Sequence, residues 1–543
     1  MQSYNGKSVF EGIAMGPVTV FRKQIQVEKK EIENPQKELE RFEAALEVSG
    51  KQLETLYGES VKQVGKIGAA VFEVHRMMLK DKKFIGNVRD IIRSESVNAE
   101  YAVMRTGEMF SEKFAAMPDE YLKARAADVT DIAARLVRNL QGADETVVQI
   151  SRPSVIVAED LSPSETIRLD KEKILAFVTV RGSVNSHTAI LARMMNIPAI
   201  VAVPLQMGDV CDGETAIVDG ISGVVTFAPD EAVQSETEKR ISQEAEKRAL
   251  LQELRGKENM TLDGEKIHVH ANIGSLADID SVLENDAGGI GLFRSEFLYL
   301  GRESYPTEEE QFAAYKEVVQ RMDGRKVVVR TMDIGADKKE PYLGFEEEEN
   351  PAMGFRAIRV CLKQPELFKV QLRALLRAAF YGDISILYPM IISEEEVKQI
   401  QQYIDEACRE LDEKGMSYRI PEQGVMIETP AAVMISDRLA EQVDFFSIGT
   451  NDLTQYTLAI DRQNEKLDDF YDAHHEAVIR MIKMVVDNAH ACGKYVGICG
   501  ELATDMELTK QFIKMGVDEL SVSPSMVLKL RKKIREMNVK DAE

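Results

Sequence analysis

Ten polar residues in the second half of this chain each stand at or just past the end of a short apolar run: Asn272, Arg294, Glu296, Arg330, Asp333, Glu428, Asn451, Asp452, Cys499 and Glu501. Arginine forks beside carboxylates and an amide can grip a multiply charged anion together with a divalent metal. The runs are KIHVHAN (266–272), GGIGLFRSE (288–296), KVVVRTMD (326–333), ISILYPM (384–390), QGVMIE (423–428), VDFFSIGTND (443–452), YVGICGE (495–501) and ELSVSPS (519–525). Amphipathic helical stretches separate them. Eight such alternations predict a (β/α)8 barrel, in which strand C-termini converge on one mouth and carry the chemistry. All ten residues are expected to face that mouth.

A second motif lies upstream, in RGSVNSHTAILARMMNIPAIVAV (181–203). Ser186-His187-Thr188 follows a glycine-containing turn and opens an apolar-periodic helix. A histidine there meets unpaired backbone N–H groups and the positive end of the helix dipole. That field favours neutral, nucleophilic imidazole and would stabilise a phosphoryl group on the ring. No second His or Cys stands at ligand spacing, so the pattern points to phosphorylation rather than metal ligation. A capping or packing role for His187 remains open from these residues.

The 543 residues predict three to four domains. A hydrophobic content of 44% with 29% charged residues describes a soluble globular chain. No run is apolar enough to span a bilayer, and MQSYNGKSVF has no signal-peptide core, so a cytoplasmic location is expected. Five cysteines without a C-x-x-C pair fit a reducing compartment. The net charge of −23 argues against nucleic acid and anionic membranes as partners.

Short strands are expected over 1–27, with Gly12 and Gly16 as turn signals. Asn34-Pro35 starts a long helix, and helical patterns continue to about Gln141 with breaks near Gly58, Asp81, Ser96 and Pro118. Strand patterns return from about residue 148: VVQIS, SVIVAED, ILAFVTV, AIVAV, TAIVDG and GVVTFAP. The helical block therefore reads as an insertion between two halves of one α/β domain. Residues 229–258 are charged, with Glu and Lys or Arg at i, i+4, which predicts a solvated linker helix.

With these motifs assembled, the chain resembles Enzyme I of the bacterial phosphotransferase system, the phosphoenolpyruvate–protein phosphotransferases. The resemblance rests on LSPSET (161–166), SHTAILAR (186–193), GIGLFRSEFL (289–298), PTEEEQFAAY (306–315), VRTMDIG (329–335), ENPAMGFRAIR (349–359), YPMIIS (388–393), ETPAA (428–432), DFFSIGTNDLTQYTLAIDR (444–462) and CGELA (499–503). It covers essentially the whole chain in the family's domain order.

The resemblance implies a multidomain α/β architecture. A phosphohistidine swivelling domain (1–27 and 143–229) carries a helical insertion (28–142) that docks the phosphocarrier protein HPr or an HPr-like protein. A linker helix (230–259) and a C-terminal (β/α)8 barrel (260–543) that also forms a homodimer complete it. It implies that His187 accepts the phosphoryl group of phosphoenolpyruvate on Nε2, with Thr166 hydrogen-bonded to the ring at rest. Arg294, Arg330, Asn451, Asp452 and Arg462 would bind the substrate, with Lys338 and Arg356 at the same mouth. Glu428 and Asp452 would hold Mg2+, and Cys499 would protonate the enolpyruvate carbon. Glu296 and Glu501 read as orienting arginines rather than binding metal.

Departures from the family pattern are local. Ser183, Val184 and Asn185 precede Ser-His, so an arginine usual there is missing. Lys80, Lys82 and Lys83 make AAVFEVHRMMLKDKKF (69–84) less acidic than expected, which bears on the identity of the carrier. A dikinase or phosphoenolpyruvate synthase would need a nucleotide-binding domain for which the N-terminal region has no room. A non-catalytic regulatory relative would have lost some of His187, Glu428, Asp452 or Cys499, and all four are present.

Overall fold

The computed structural model describes residues 1–21, 27–115, 120–142, 150–161, 165, 169–182, 186, 188–189, 192–193, 197–300, 302, 304–336, 338, 341–462 and 464–540. The chain divides into two compact units, Met1–Glu246 and Lys247–Glu543.

The first unit is built on one eight-stranded sheet. Its strands are β1 (Gln2–Asn5), β2 (Lys7–Phe10), β3 (Ile13–Phe21), β4 (Ser154–Ala158), β5 (Ile174–Thr179), β6 (Ala199–Val201), β7 (Thr215–Asp219) and β8 (Val224–Phe227), in the order β1-β8-β7-β3-β4-β5-β6-β2. Strands β3 to β6 are parallel, and β4 is buried at every position, as its unbroken apolar run SVIVA requires. Gly12 turns the chain between β2 and β3 at φ +139°, a conformation side chains rarely adopt.

Between the paired neighbours β3 and β4, helices α1 (Pro35–Met78), α2 (Lys82–Glu95), α3 (Ala99–Ala115) and α4 (Glu120–Gln141) leave the sheet and return to it. Asn34 caps α1 by accepting from the Gln36 and Lys37 N–H groups. Asp81 caps α2 in the same way, and Ser96 ends it in the left-handed region. Gly58 does not break α1. Leu53 and Leu56 before it and Phe72 after it are buried, and that packing outweighs a propensity cost of about 1 kcal/mol. The expected breaks at Asp81 and Ser96 are present, whereas Pro118 lies outside the described residues. VVQIS forms no strand in its described part, residues 150–151. The charged segment after Pro229 forms α5 (Glu231–Gln252).

All eight runs of the second half are strands: β9 (His268–Ile273), β10 (Ile290–Arg294), β11 (Val327–Arg330), β12 (Ile384–Tyr388), β13 (Glu422–Ile427), β14 (Phe445–Ile448), β15 (Tyr495–Ile498) and β16 (Glu519–Val522). They pair in parallel and close into a barrel, with β16 joined to β9 through Leu520 and Val269. Inward-facing Leu292, Val328, Leu387, Met426, Phe445 and Cys499 form a small core of their own. The much larger core between strands and outer helices holds the barrel wall in place. Capping boxes at Thr307/Glu310 and Ser393/Glu396 start two of these helices where the sequence changes period. Among the described residues no helix is long and apolar enough to cross a membrane.

Candidate active site

Because the barrel strands are parallel, their C-terminal residues open on the same end. Arg294 and Arg330 are the last residues of β10 and β11 and stand side by side in the ladder. Glu428 follows β13, Asn451 and Asp452 begin the helix Thr450–Leu458 after β14, and Cys499 follows β15.

The centre of the mouth is a buried ion-pair network around Asp333. Arg330 Nη1 lies 2.8 Å from Asp333 Oδ2, and Arg356 donates to Asp333 Oδ1 from Nη2 (2.8 Å) and Nε (3.1 Å). Arg330 Nη2 donates to Glu296 Oε1 (2.9 Å), which also accepts the Asp333 N–H (3.0 Å). Burial pushes the Asp333 carboxyl up, yet Arg330 and Arg356 together hold it below its ordinary value, with help from Lys338. Glu296, with one arginine and a like-charged neighbour, is pushed the other way by burial. Arg330 Nε is buried and has no hydrogen-bond partner among the described residues. A guanidinium with an unspent donor suits a ligand oxygen.

Glu428 is 1% exposed and accepts the Met390 N–H at 2.6 Å. Burial, and after it the Asp452 and Asp333 charges, push its pKa up to about 8. An acid facing like charge in this way gains from a cation, and hard carboxylate oxygens suit magnesium. Among the described residues no three His, Cys, Asp or Glu side chains form a metal cage. Glu428 and Asp452 would thus leave most of a magnesium shell to waters and ligand oxygens, as that ion accepts. Arg356 reaches within 3.9 Å of Asp452 and donates to Tyr456 at 3.4 Å.

Cys499 is 3% exposed, and burial pushes its thiol up to about 11, against a hydrogen bond from Ser447 that lowers it. The thiol is therefore protonated at neutral pH and able to donate. Asn451 and Glu501 hold each other: Asn451 Nδ2 donates to Glu501 Oε1 (3.1 Å), and the Glu501 N–H donates to Asn451 Oδ1 (2.8 Å). Arg462 is exposed and lies 3.6 Å from the same Glu501 oxygen. Lys338 is also exposed, with its charge felt at Asp333.

The structure thus brings Arg294, Arg330, Arg356, Lys338, Glu428, Asp452 and Cys499 to one mouth, with Asn451 and Arg462 on the flanking Glu501. Asn272 also faces the barrel interior, where its amide donates to the Cys499 and Ser521 carbonyls. Sequence reasoning missed Tyr456, Ser447 and Ser521. For the two serines a lone hydroxyl inside an apolar strand run, as in FFSI and LSV, was the available signal. His187 and Thr166 lie outside the described residues.

Fold and mouth together define a class, a (β/α)8-barrel enzyme whose site is built for an anion with several charged oxygens. Three family matches narrow it. Residues 248–539 match the PEP-binding domain of PEP-utilising enzymes, residues 5–125 their N-terminal domain and residues 150–223 their mobile domain. The chain is 43% identical to the phosphoenolpyruvate-protein phosphotransferase of Priestia megaterium, over 96% of this chain and 91% of that protein. It is 40% identical to that of Bacillus subtilis (100% and 96% covered) and 42% identical to that of Haemophilus influenzae (98% and 93%). The chain belongs to the phosphoenolpyruvate–protein phosphotransferase family.

Proposed function

We propose that the chain moves the phosphoryl group of phosphoenolpyruvate to its own His187 and then to a histidine of HPr or an HPr-like carrier, releasing pyruvate. This is the first step of the sugar phosphotransferase system. The observation that carries the reading is the pair of arginines clamped on Asp333 beside Glu428, Asp452 and a protonated thiol. The full-length likeness to relatives of that name supports it.

In this reading Arg294, Arg330, Asn451 and Arg462 hold the phosphate and carboxylate of the substrate, with Lys338 and Arg356 completing the positive field. Glu428 and Asp452 would hold Mg2+, which when bound would supply positive charge against the negative charge that develops on the substrate. His187 Nε2 forms the N–P bond as the P–O bond to enolpyruvate breaks, and Thr166 orients the resting ring. The enolate then takes a proton at C3 from the Cys499 thiol, and solvent restores that proton. The phosphohistidine domain (1–27 and 143–229) alternates between the barrel (260–543) and the carrier docked on 28–142, with 230–259 as the linker. The working form is a cytoplasmic homodimer joined through the barrel.

The test is to mix the chain with phosphoenolpyruvate, Mg2+ and an excess of purified HPr. One pyruvate should appear for each HPr phosphorylated, over many turnovers. Pyruvate release that leaves every HPr tested unphosphorylated would overturn the carrier assignment.

A further inference from the structure

Asn272 is an inward-facing amide on β9, two strands away from β15, which Cys499 follows. Its Nδ2 spans that gap, donating to the Cys499 carbonyl (3.0 Å) and to the Ser521 carbonyl on the intervening β16 (2.9 Å). The Ser521 hydroxyl donates back to Asn272 Oδ1 at 2.6 Å. Both amide hydrogens are thereby used, so Asn272 has no donor left for an anionic substrate. The serine hydroxyl also fixes which way the amide faces, since only the NH2 end can meet two carbonyls.

The other side of the same turn is held as well. The Cys499 N–H donates to the Ile448 carbonyl (3.1 Å), and Asn451 takes the Glu501 N–H. A β-carbon on Gly500 would collide with Thr450, so the turn admits no side chain there. Gly291 on β10 plays the matching part for the serine, because a β-carbon there would collide with Glu519 and Ser521. A lone Asn–Ser pair inside a barrel would otherwise be an expensive way to fill space with polar atoms.

We infer that Asn272, oriented by Ser521, is a positioning residue for the proton donor. By pinning the Cys499 carbonyl it fixes the direction in which the thiol meets the substrate carbon. The inference rests on the reading of Cys499 as the acid. Small errors of placement are costly in such steps, with about a hundredfold lost for 1 Å.

The test is a double-mutant cycle on the full-length enzyme, following pyruvate formation from phosphoenolpyruvate, with kcat and KM measured separately. Asn272→Ala should lower kcat by about tenfold to a hundredfold with KM for phosphoenolpyruvate changed less than about threefold. In a Cys499→Ala background the same change should add almost nothing, because its effect runs through the missing thiol. Effects that multiply across the cycle would overturn the inference, as would a normal kcat in Asn272→Ala. If Asn272→Ala does not fold, Ser521→Ala carries the cycle with a smaller fall and the same requirement of non-additivity. Near-normal turnover in Cys499→Ala alone would instead sink the reading of Cys499, and the inference with it. A slow Cys499→Ala beside an additive Asn272→Ala would sink only the positioning role.

Discussion

Replacing Asp333 by Asn tests the physical centre of the mouth. The side chain is 4% exposed and receives Arg330 and Arg356, each at 2.8 Å. Asparagine keeps the shape but removes the charge, and its NH2 end faces one guanidinium. Arg330 retains Glu296 at 2.9 Å, while Arg356 is left with Asp452 at 3.9 Å. Breaking a buried pair by neutralising one partner typically costs about 3–5 kcal/mol. For a unit as large as Lys247–Glu543 that corresponds to a fall in Tm of roughly 5–8 °C. Scanning calorimetry on the full-length chain measures it, with the barrel transition recognised as the one that phosphoenolpyruvate and Mg2+ raise. The sign with pH is fixed by the depressed carboxyl of Asp333. Its contribution is present above the unfolded value of 3.8 and is lost as pH falls through the lower folded value. The gap between wild type and Asp333→Asn should therefore persist from pH 8 to 5 and close below about pH 4. A shift under about 2 °C, or a gap already lost at pH 5, would refute the reasoning.

The other perturbations probe single groups. In metal-free enzyme Glu428, with its pKa raised from 4.5 to about 8, favours folding below 4.5 and loses that contribution as pH rises through 8. Glu428→Gln should therefore melt higher than wild type at pH 8.5 in EDTA, but gain nothing from added Mg2+ and phosphoenolpyruvate; a lower melting point in EDTA would contradict this. The buried Cys499 thiol, pushed up to about 11, should react with iodoacetamide at pH 8 far more slowly than exposed Cys211 and Cys492. Peptide mapping of the alkylated chain decides it, and comparable rates at the three sites would count against the buried, protonated donor.

Much of the barrel was legible in the sequence because its signal is periodic. Each of the eight runs is a strand, and six of them end at or just before one or more of the ten polar residues, which is how Arg294, Arg330, Glu428 and Cys499 stood out. Arg356 and Lys338 sit in the connection after β11, where no strand-end rule reaches; only the family resemblance indicated them. That Arg356 closes on Asp333 is a fact of tertiary packing. Asn272 shows the limit of reading position as role. It stands where a substrate-facing residue would, but its amide bonds to two carbonyls that the chain supplies from 227 and 249 residues away. Gly58 failed as a punctuation mark because buried Leu53 and Leu56 before it and buried Phe72 after it anchor α1 on both sides.

The central claim is that phosphoryl transfer from phosphoenolpyruvate passes through one histidine. Incubating the full chain with radiolabelled phosphoenolpyruvate and Mg2+, then mapping the label by mass spectrometry under alkaline conditions, tests it most directly. The account predicts one acid-labile, base-stable phosphohistidine at His187, absent from His187→Ala. Label that persists in His187→Ala, or that maps to any other residue of the wild type, would contradict it.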